Sequence, residues 1–259
     1  VAGSSAGSIT NSYNADYVAA SGDGSTIGGV TGINTDTGSI VYSYNGGTVI
    51  GSGSNEQIGG VAGENAGSIS GSYNAASVAA SSFGSTIGGV TGVNTKTGSI
   101  ISSYGAAAGT VSSNADSNLV GGVAGENDGS ILGSFNNGEV NTTASATNNK
   151  VGGLVGLNAA DGSLTKSYNT GTVSVSGDNS LTGGLAGKND GSMTSTTNAG
   201  AVASTGAASP TGGLAGINSG SITTSYSVGN VSGYYNVGGL VGTNAGSITD
   251  SYYAIATVT

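Results

Sequence analysis

The chain of 259 residues contains four basic and thirteen acidic residues, which gives a formal net charge of −9 at pH 7. Nucleic acids and anionic membranes are therefore not expected as partners, because they are bound through clustered cations. Histidine and cysteine are absent, which excludes their catalytic chemistry, disulfides and thiolate metal sites. No run of about 18 apolar residues is present, so we expect no membrane insertion.

A single unit is repeated along the chain. A pair of glycines followed by Val or Leu recurs at a period of roughly 30 residues, from Gly28-Gly29 to Gly238-Gly239. Each unit contains three phrases in order, which in one unit are Ile58 to Asn65, Gly67 to Asn74, and a short segment around Val78. Gly, Asn or Ser bounds each phrase, and no segment has helical periodicity, so the phrases are predicted to be strands.

These repeats predict an all-β fold, a right-handed parallel β-solenoid of about nine coils with about three strands per coil. Residues 1–259 would form one continuous domain. With coils about 4.8 Å apart, the rod would be about 43 Å long. Two positions of the repeat are always aliphatic, which predicts that they point inward. They are the columns of Val30, Val61, Val90, Val123, Leu154, Leu185, Leu214 and Leu240, and of Ile9, Ile40, Ile69, Ile100, Ile131, Leu164, Met193, Ile222 and Ile248.

Two further columns predict structural ladders along the rod. Identical amides on successive coils can hydrogen-bond to the copies above and below, and stacked rings add apolar contact. The amide column is Asn34, Asn65, Asn94, Asn127, Asn158, Asn189, Asn218 and Asn244. The aromatic column is Tyr13, Tyr44, Tyr73, Tyr104, Phe135, Tyr168, Tyr226 and Tyr252, interrupted by Thr197.

Three aspartates are the only candidates for a metal site in the sequence. Asp128, Asp161 and Asp190 each precede the glycine of a Gly-Ser phrase in consecutive units. Stacked carboxylates could hold calcium, whereas an aspartate before glycine is more often a turn residue. Two extra residues, Ala159 and Ala160, lengthen the turn before Asp161 and disturb the stacking. We therefore expect no cofactor, with calcium as a minor alternative.

Ligand binding on the outer surface is the main functional alternative to a structural role. The tyrosine ladder, or the pairs Tyr234-Tyr235 and Tyr252-Tyr253, could contact glycans or another surface. A flat threonine array would instead favour ice binding, and the last four coils place Thr165, Thr194, Thr223 and Thr249 in one column. No catalytic group stands out, so we expect no enzymatic activity.

The repeated phrases resemble those of the GLUG motif family. The pattern is carried most clearly by GGLVGLN at 152–158, GSL at 162–164, SYN at 167–169 and GTV at 171–173. The resemblance implies a β-solenoid stalk in a large secreted or surface-attached microbial protein, such as a haemagglutinin-like adhesin or the non-catalytic part of an immunoglobulin A peptidase. The zinc-dependent activity of such peptidases is not implied, because this sequence has no His-Glu-x-x-His motif.

The two ends of the sequence predict how the rod is continued. Val1 to Gly3 aligns with Val61 to Gly63, so the chain begins inside a first phrase, and it ends at Thr257 to Thr259 inside a third phrase. Neither end has an atypical capping repeat, and an uncapped solenoid exposes unpaired backbone groups. We therefore expect end-to-end stacking, either on another copy in a head-to-tail filament or on flanking repeats of a longer extracellular or cell-surface chain.

Overall fold

The computed structural model describes residues 1–143 and 146–254. In these residues the chain forms a parallel β-solenoid with five parallel sheets and no helix. The predicted all-β solenoid is thus confirmed. The right-handed sense remains a prediction, and the phrase predicted at Thr257 to Thr259 lies outside the described residues.

Each sheet takes one short strand from every coil. The first sheet contains Ala2–Ser5, Thr31–Asn34, Ala62–Asn65, Thr91–Asn94, Ala124–Asn127, Val155–Asn158, Ala186–Asn189, Ala215–Asn218 and Val241–Asn244. The second contains Ser8–Thr10, Ser39–Val41, Ser68–Ser70, Ser99–Ile101, Ser130–Leu132, Ser163–Thr165, Ser192–Thr194, Ser221–Thr223 and Ser247–Thr249. The third contains Tyr13–Asn14, Tyr44–Asn45, Tyr73–Asn74, Tyr104–Gly105, Phe135–Asn136, Tyr168–Asn169, Thr197–Asn198, Tyr226–Ser227 and Tyr252–Tyr253.

The last two sheets complete the coil. The fourth contains Val18–Ala20, Val49–Gly51, Val78–Ala80, Thr110–Ser113, Glu139–Thr142, Val173–Val175, Val202–Ser204 and Val231–Ser232. The fifth contains Thr26–Gly28, Gln57–Gly59, Thr86–Gly88, Leu119–Gly121, Lys150–Gly152, Leu181–Gly183, Pro210–Gly212 and Tyr235–Gly238. Three sheets have nine strands and two have eight within the described residues, so the predicted count of nine coils is only approximate.

The prediction of about three strands per coil is wrong, because two of the three phrases turn a corner in their middle. The phrase from Ile58 to Asn65 divides at its glycine pair into a strand of the fifth sheet and a strand of the first. The phrase from Gly67 to Asn74 divides at Gly71, which has a φ of 56°. The same corner has positive φ in the other coils, at Asn11, Tyr42, Ser102, Gly133, Lys166, Ser195, Thr224 and Asp250.

The apolar core consists of two columns of buried side chains that run the length of the rod. One cluster joins the aliphatic columns predicted to point inward, and Ile40, Ile69 and Leu154 in it are fully buried. The other cluster lies between the fourth and fifth sheets and includes Val49 and Ile58. Each coil buries aliphatic side chains, and this burial stabilises the fold although the chain contains few aromatic residues.

Strand pairing keeps every column of the repeat in register. Glu64 pairs with Ile33 on one side and with Val93 on the other, and Val93 in turn pairs with Glu126. The two glutamates are therefore separated by one apolar residue. Members of this column are half-buried rather than fully exposed, which accounts for its tolerance of both apolar and charged side chains.

Candidate functional site

The asparagine column of the first sheet forms a continuous hydrogen-bonded ladder inside the rod. In each step the side-chain Nδ2 donates to the Oδ1 of the next residue, at 2.7–2.8 Å, from Asn34 through to Asn244. Nδ2 also donates to a backbone carbonyl in the following turn, for example from Asn127 to Gly129 at 3.2 Å. The side chains from Asn34 to Asn218 are fully buried. Apart from the Oδ1 of Asn34, which has no partner at the start of the ladder, these bonds satisfy amides that would otherwise be costly to bury.

A second asparagine ladder follows the aromatic residues of the third sheet, and sequence reasoning missed it. Asn14 donates to Asn45 at 2.8 Å, Asn45 to Asn74 at 2.7 Å, and Asn136 to Asn169 at 3.0 Å. Gly105 and Ser227 interrupt this ladder. The sequence feature that indicates this ladder is the asparagine that recurs directly after the aromatic residue in the Ser-Tyr-Asn phrase.

The glycine pair makes room for this second ladder. A Cβ on the second glycine of the pair would collide with the third-sheet asparagine, as at Gly60 with Asn74 and at Gly153 with Asn169. A Cβ on the first glycine would collide with the backbone, as at Gly121 with the Ala124 carbonyl. The glycine pairs thus permit close packing, and no positive φ is found at these positions.

The aromatic column forms a stack on the outer face of the third sheet. Ring centroids from Tyr13 to Tyr168 are 4.6–5.2 Å apart, with planes within 8° of parallel. Tyr226 and Tyr252 form a separate pair at 5.2 Å. Within the stack each ring covers the face of the next, so the rings other than those at its ends present their edges to solvent, whereas sugars pack on ring faces.

The three candidate calcium ligands do not stack in one column. Asp128 and Asp190 occupy equivalent positions, but the backbone hydrogen bonds place Ala159 between them instead of Asp161. Asp161 pairs with Lys96 at 2.6 Å, and Asp190 pairs with Lys188 at 2.8 Å. Among the described residues, no group of three or more carboxylates is close enough to hold a metal ion.

The predicted threonine column is in register but short. Thr165, Thr194, Thr223 and Thr249 pair in sequence along the second sheet. The preceding coil places Leu132 in the same column. The structure therefore provides four rungs of threonine, beside a corner that carries the exposed side chains of Lys166 and Asp250.

The outer face of the fourth sheet contains a shallow groove. It has a volume of about 380 Å³ and is lined by residues that include Ile50, Ala79, Ser112 and Asn141. A smaller groove beside Tyr234 has a volume of about 250 Å³, and the Tyr234 side chain is 79% exposed. Both grooves are lined by uncharged residues and therefore suit a neutral ligand or surface.

Two glutamates have a raised pKa because of burial. Glu56 points into the rod beside Gly51 and Ile58 and is 1% exposed. Burial raises its pKa and the nearby Asp23 adds to the rise, while the Gly53 backbone opposes it. For Glu126, burial and then Asp128 raise the pKa, and Lys150 lowers it.

Comparison with known proteins gives one match to a family. The GLUG motif matches residues 147–174, which include strands of the fifth, first, second, third and fourth sheets in turn. No curated protein matches the chain. No helix in the described part of the chain has the length and apolar character needed to cross a membrane.

One solved structure matches the chain. It is the crystal structure of a candidate immunoglobulin A1 protease from Bacteroides ovatus, with 20% sequence identity and a TM-score of 0.45. The match covers 82% of this chain and 62% of the other, so the chain spans less than two thirds of that protein.

The matched segment contains the residues on which the resemblance was based, from the glycine pair at 152–153 to Val173. The structure repeats the same arrangement of strands in each complete coil. The sequence-based identification is confirmed: this chain is a β-solenoid that carries the GLUG motif.

Proposed function

We propose that the chain is a rigid structural rod of an extracellular, secreted or surface-attached microbial protein. The observation that carries this proposal is the ladder from Asn34 to Asn244, buried as far as Asn218, which links successive coils through side-chain hydrogen bonds along the rod. Such contacts between neighbouring coils resist bending and stretching of the rod and form no concave site. The occurrence of the GLUG motif in the chain supports an extracellular location.

The rod would serve as a spacer, either as the stalk of an adhesin or as one subunit of a head-to-tail filament. In the last coil, Leu240 and Ile248 are only partly buried, whereas their equivalents Leu214 and Ile222 in the preceding coil are fully buried. One further coil stacked there would bury them, and it could come from flanking repeats or from a second copy. Binding of hosts or surfaces would then occur elsewhere in the assembly, and the rod itself would have no enzymatic activity.

Electron microscopy of the purified chain across a concentration series tests the proposal. A rod is expected to be about 43 Å long, from nine rungs at about 4.8 Å. Filaments that lengthen with concentration would identify a self-assembling subunit, and short rods at every concentration would identify a stalk segment. Compact or irregular particles would contradict the rod.

Two lysine variants distinguish end stacking from lateral aggregation. Ile248→Lys places a charge in the last coil and should block any lengthening of filaments. Leu132→Lys introduces the same charge in the middle of the rod, where the side chain is already 41% exposed, and should leave lengthening unchanged. Equal effects of the two substitutions would indicate lateral association instead.

The second candidate function is binding of glycans or another surface by a lateral face. The uncharged groove on the fourth sheet favours it. Binding to a panel of immobilised neutral glycans, lost in Ala79→Trp because the new side chain fills the groove, would support this candidate. The matched substitution Thr10→Trp on the outer face of the second sheet should leave that binding in place.

A further inference from the structure

The aromatic stack lacks one ring in the middle of its length. Thr197 pairs with Tyr168 on one side and with Tyr226 on the other, so it occupies the position of a ring. Tyr168 stacks on Phe135 at 4.8 Å, with the two planes 4° apart. Tyr226 stacks on Tyr252 at 5.2 Å, also 4° apart. One face of Tyr168 and one face of Tyr226 are therefore not covered by a ring of this chain.

The size of this Thr197 gap is set by the coil spacing. Tyr168 and Tyr226 are two rungs apart, which separates them by about 9.6 Å along the rod. The rest of the stack places one ring in each such interval, with centroids 4.6–5.2 Å apart. The threonine side chain ends at its γ atoms, where the ring of a tyrosine begins. By the coil spacing, the interval at Thr197 therefore corresponds to the position that one six-membered ring occupies elsewhere in the stack.

The gap is open to solvent from the outside. The Tyr168 side chain is 38% exposed, whereas Tyr73, Tyr104 and Phe135, inside the continuous stack, are less exposed. Short uncharged side chains, Ser195 and Ala199, flank Thr197 and are themselves exposed. The charged side chain nearest in sequence to Tyr168 is Lys166, in the corner of the neighbouring coil. A neutral ring can thus enter without displacing another side chain.

We propose that the Thr197 gap binds one planar aromatic ring of the phenol class, which takes the place of the missing ring. Such a ring would be stacked on both faces, at the same spacing as the rings of the ladder. A puckered ring of similar size cannot make two parallel stacking contacts in the same interval. Each aromatic stacking contact adds to the binding free energy beyond the burial of apolar area. A ring stacked on both faces should therefore bind about tenfold more tightly than a ring stacked on one face. The proposal does not depend on the structural role of the rod.

Titration with phenol, followed by NMR of the Thr197 γ-methyl group and the Tyr168 ring, tests this site. Saturable shifts of both signals are expected. The affinity that they report should be about tenfold higher than the affinity reported by shifts of the end ring Tyr13, which offers a single face. Cyclohexanol is the matched ligand, because it has a similar size and hydroxyl group without a planar ring, and it should bind about tenfold more weakly.

Two variants separate the gap from non-specific binding. Thr197→Tyr fills the gap and should abolish the tight phase of phenol binding, while Thr197→Ala leaves the gap open and should retain it. Circular dichroism of both variants would verify that they fold, and Thr197→Phe serves as a second filled variant. Equal binding of phenol and cyclohexanol, or tight binding that survives Thr197→Tyr, would overturn the proposal, as would the absence of saturable shifts.

NMR spectra of the protein at a series of dilutions, without phenol, show whether the ring that occupies the gap comes from a second copy of the chain or from a free ligand. Phe83 and Tyr234 are exposed aromatic side chains of the chain itself. Concentration-dependent shifts of the Tyr168 ring that Thr197→Tyr removes would show that a ring of a second copy occupies the gap. Shifts that appear only on addition of phenol would show that the gap takes a free aromatic ligand.

Discussion

At the scale of single residues, the molecule depends on buried amides that bond to their own copies. Asn127 accepts a hydrogen bond from Asn94 at 2.8 Å and donates to Asn158 at 2.8 Å. Its side chain is fully buried, so water cannot replace a lost partner. A single substitution in the ladder therefore affects three coils.

Replacement of Asn127 by alanine should destabilise the chain by about 3 kcal/mol, because it leaves the buried Oδ1 of Asn158 without its donor and removes one acceptor of the Asn94 Nδ2. Urea denaturation followed by circular dichroism would measure the loss. The control is Asn114→Ala, at an exposed position, which should change stability by less than about 0.5 kcal/mol. Equal stability of the two variants would mean that the ladder contributes nothing measurable.

The buried Glu56 predicts a pH dependence of stability. Its pKa in the folded chain lies above the ordinary value of 4.5, so the unfolded chain loses this proton first as pH rises. Stability should therefore fall as pH increases from about 4.5 through the raised folded pKa, and then level off. Glu126 contributes with the same sign.

Denaturation between pH 4 and pH 8 tests this dependence. Glu56→Gln should reduce the slope and should be more stable than the natural chain at pH 7, because no charge is then buried. Glu64→Gln removes a carboxylate from the outer face and should retain the slope that Glu56 causes. An unchanged slope in Glu56→Gln would show that Glu56 does not titrate in this range.

At the scale of strands and corners, the repeat is specified by positions that exclude a Cβ atom. The glycine pair lies where the fifth sheet turns into the first, against neighbouring backbone and the inward asparagine of the third sheet. The opposite corner, between the second and third sheets, tolerates left-handed Asn, Ser, Lys and Thr. Close packing thus limits the glycine-pair corner to glycine, whereas the positive φ at the corner between the second and third sheets permits several residue types.

Gly121→Ala should destabilise the chain by about 3 kcal/mol or more, because the new Cβ would overlap the Ala124 carbonyl and lie 2.7 Å from the Leu154 carbonyl oxygen. Thermal unfolding would measure the effect. Gly7→Ala is the matched control, since a Cβ at Gly7 would meet nothing within 4 Å. A similar melting temperature for both variants would contradict the packing role of the glycine pair.

At the scale of the whole molecule, the rod is a series of coils that contact only their neighbours. Strands at one position pair with the same position in the coils before and after, throughout each sheet. A whole coil can therefore be removed without breaking register. Removal of part of a coil leaves the remaining strands unable to close the turn.

Deletion of residues 91–123 should give a folded rod that is shorter by about 4.8 Å. It joins Val90 to Ala124, which have the same positions in the repeat as Val123 and Thr91. It also removes Gly105 and so brings Asn74 next to Asn136 in the second ladder. The half-coil deletion of residues 91–106 should unfold the chain at this point. Circular dichroism and cooperative thermal melts would distinguish the two, and a folded half-coil variant would contradict the coil as the unit of structure.

The sequence by itself determined the architecture, because the repeat places the same residue type at the same position in every coil. Always-aliphatic columns such as that of Val30 indicated the core, and the columns of Asn34 and Tyr13 indicated ladders before any strand was placed. These features depend only on the coils being stacked in register, which the period of the repeat requires. The GLUG motif was recognisable for the same reason.

Only the tertiary structure decided where each phrase bends and which neighbour each side chain meets. The division into five strands depends on corners at Gly59-Gly60 and Gly71, and a phrase bounded by turn residues reads equally well as one strand. The offset of Asp161 from Asp128 and Asp190 depends on how the longer turn at Ala159 and Ala160 closes. The Thr197 gap became a defined space only when the rings on either side were seen to stack. A repeat fixes positions along the coil, whereas contacts between coils depend on three-dimensional packing.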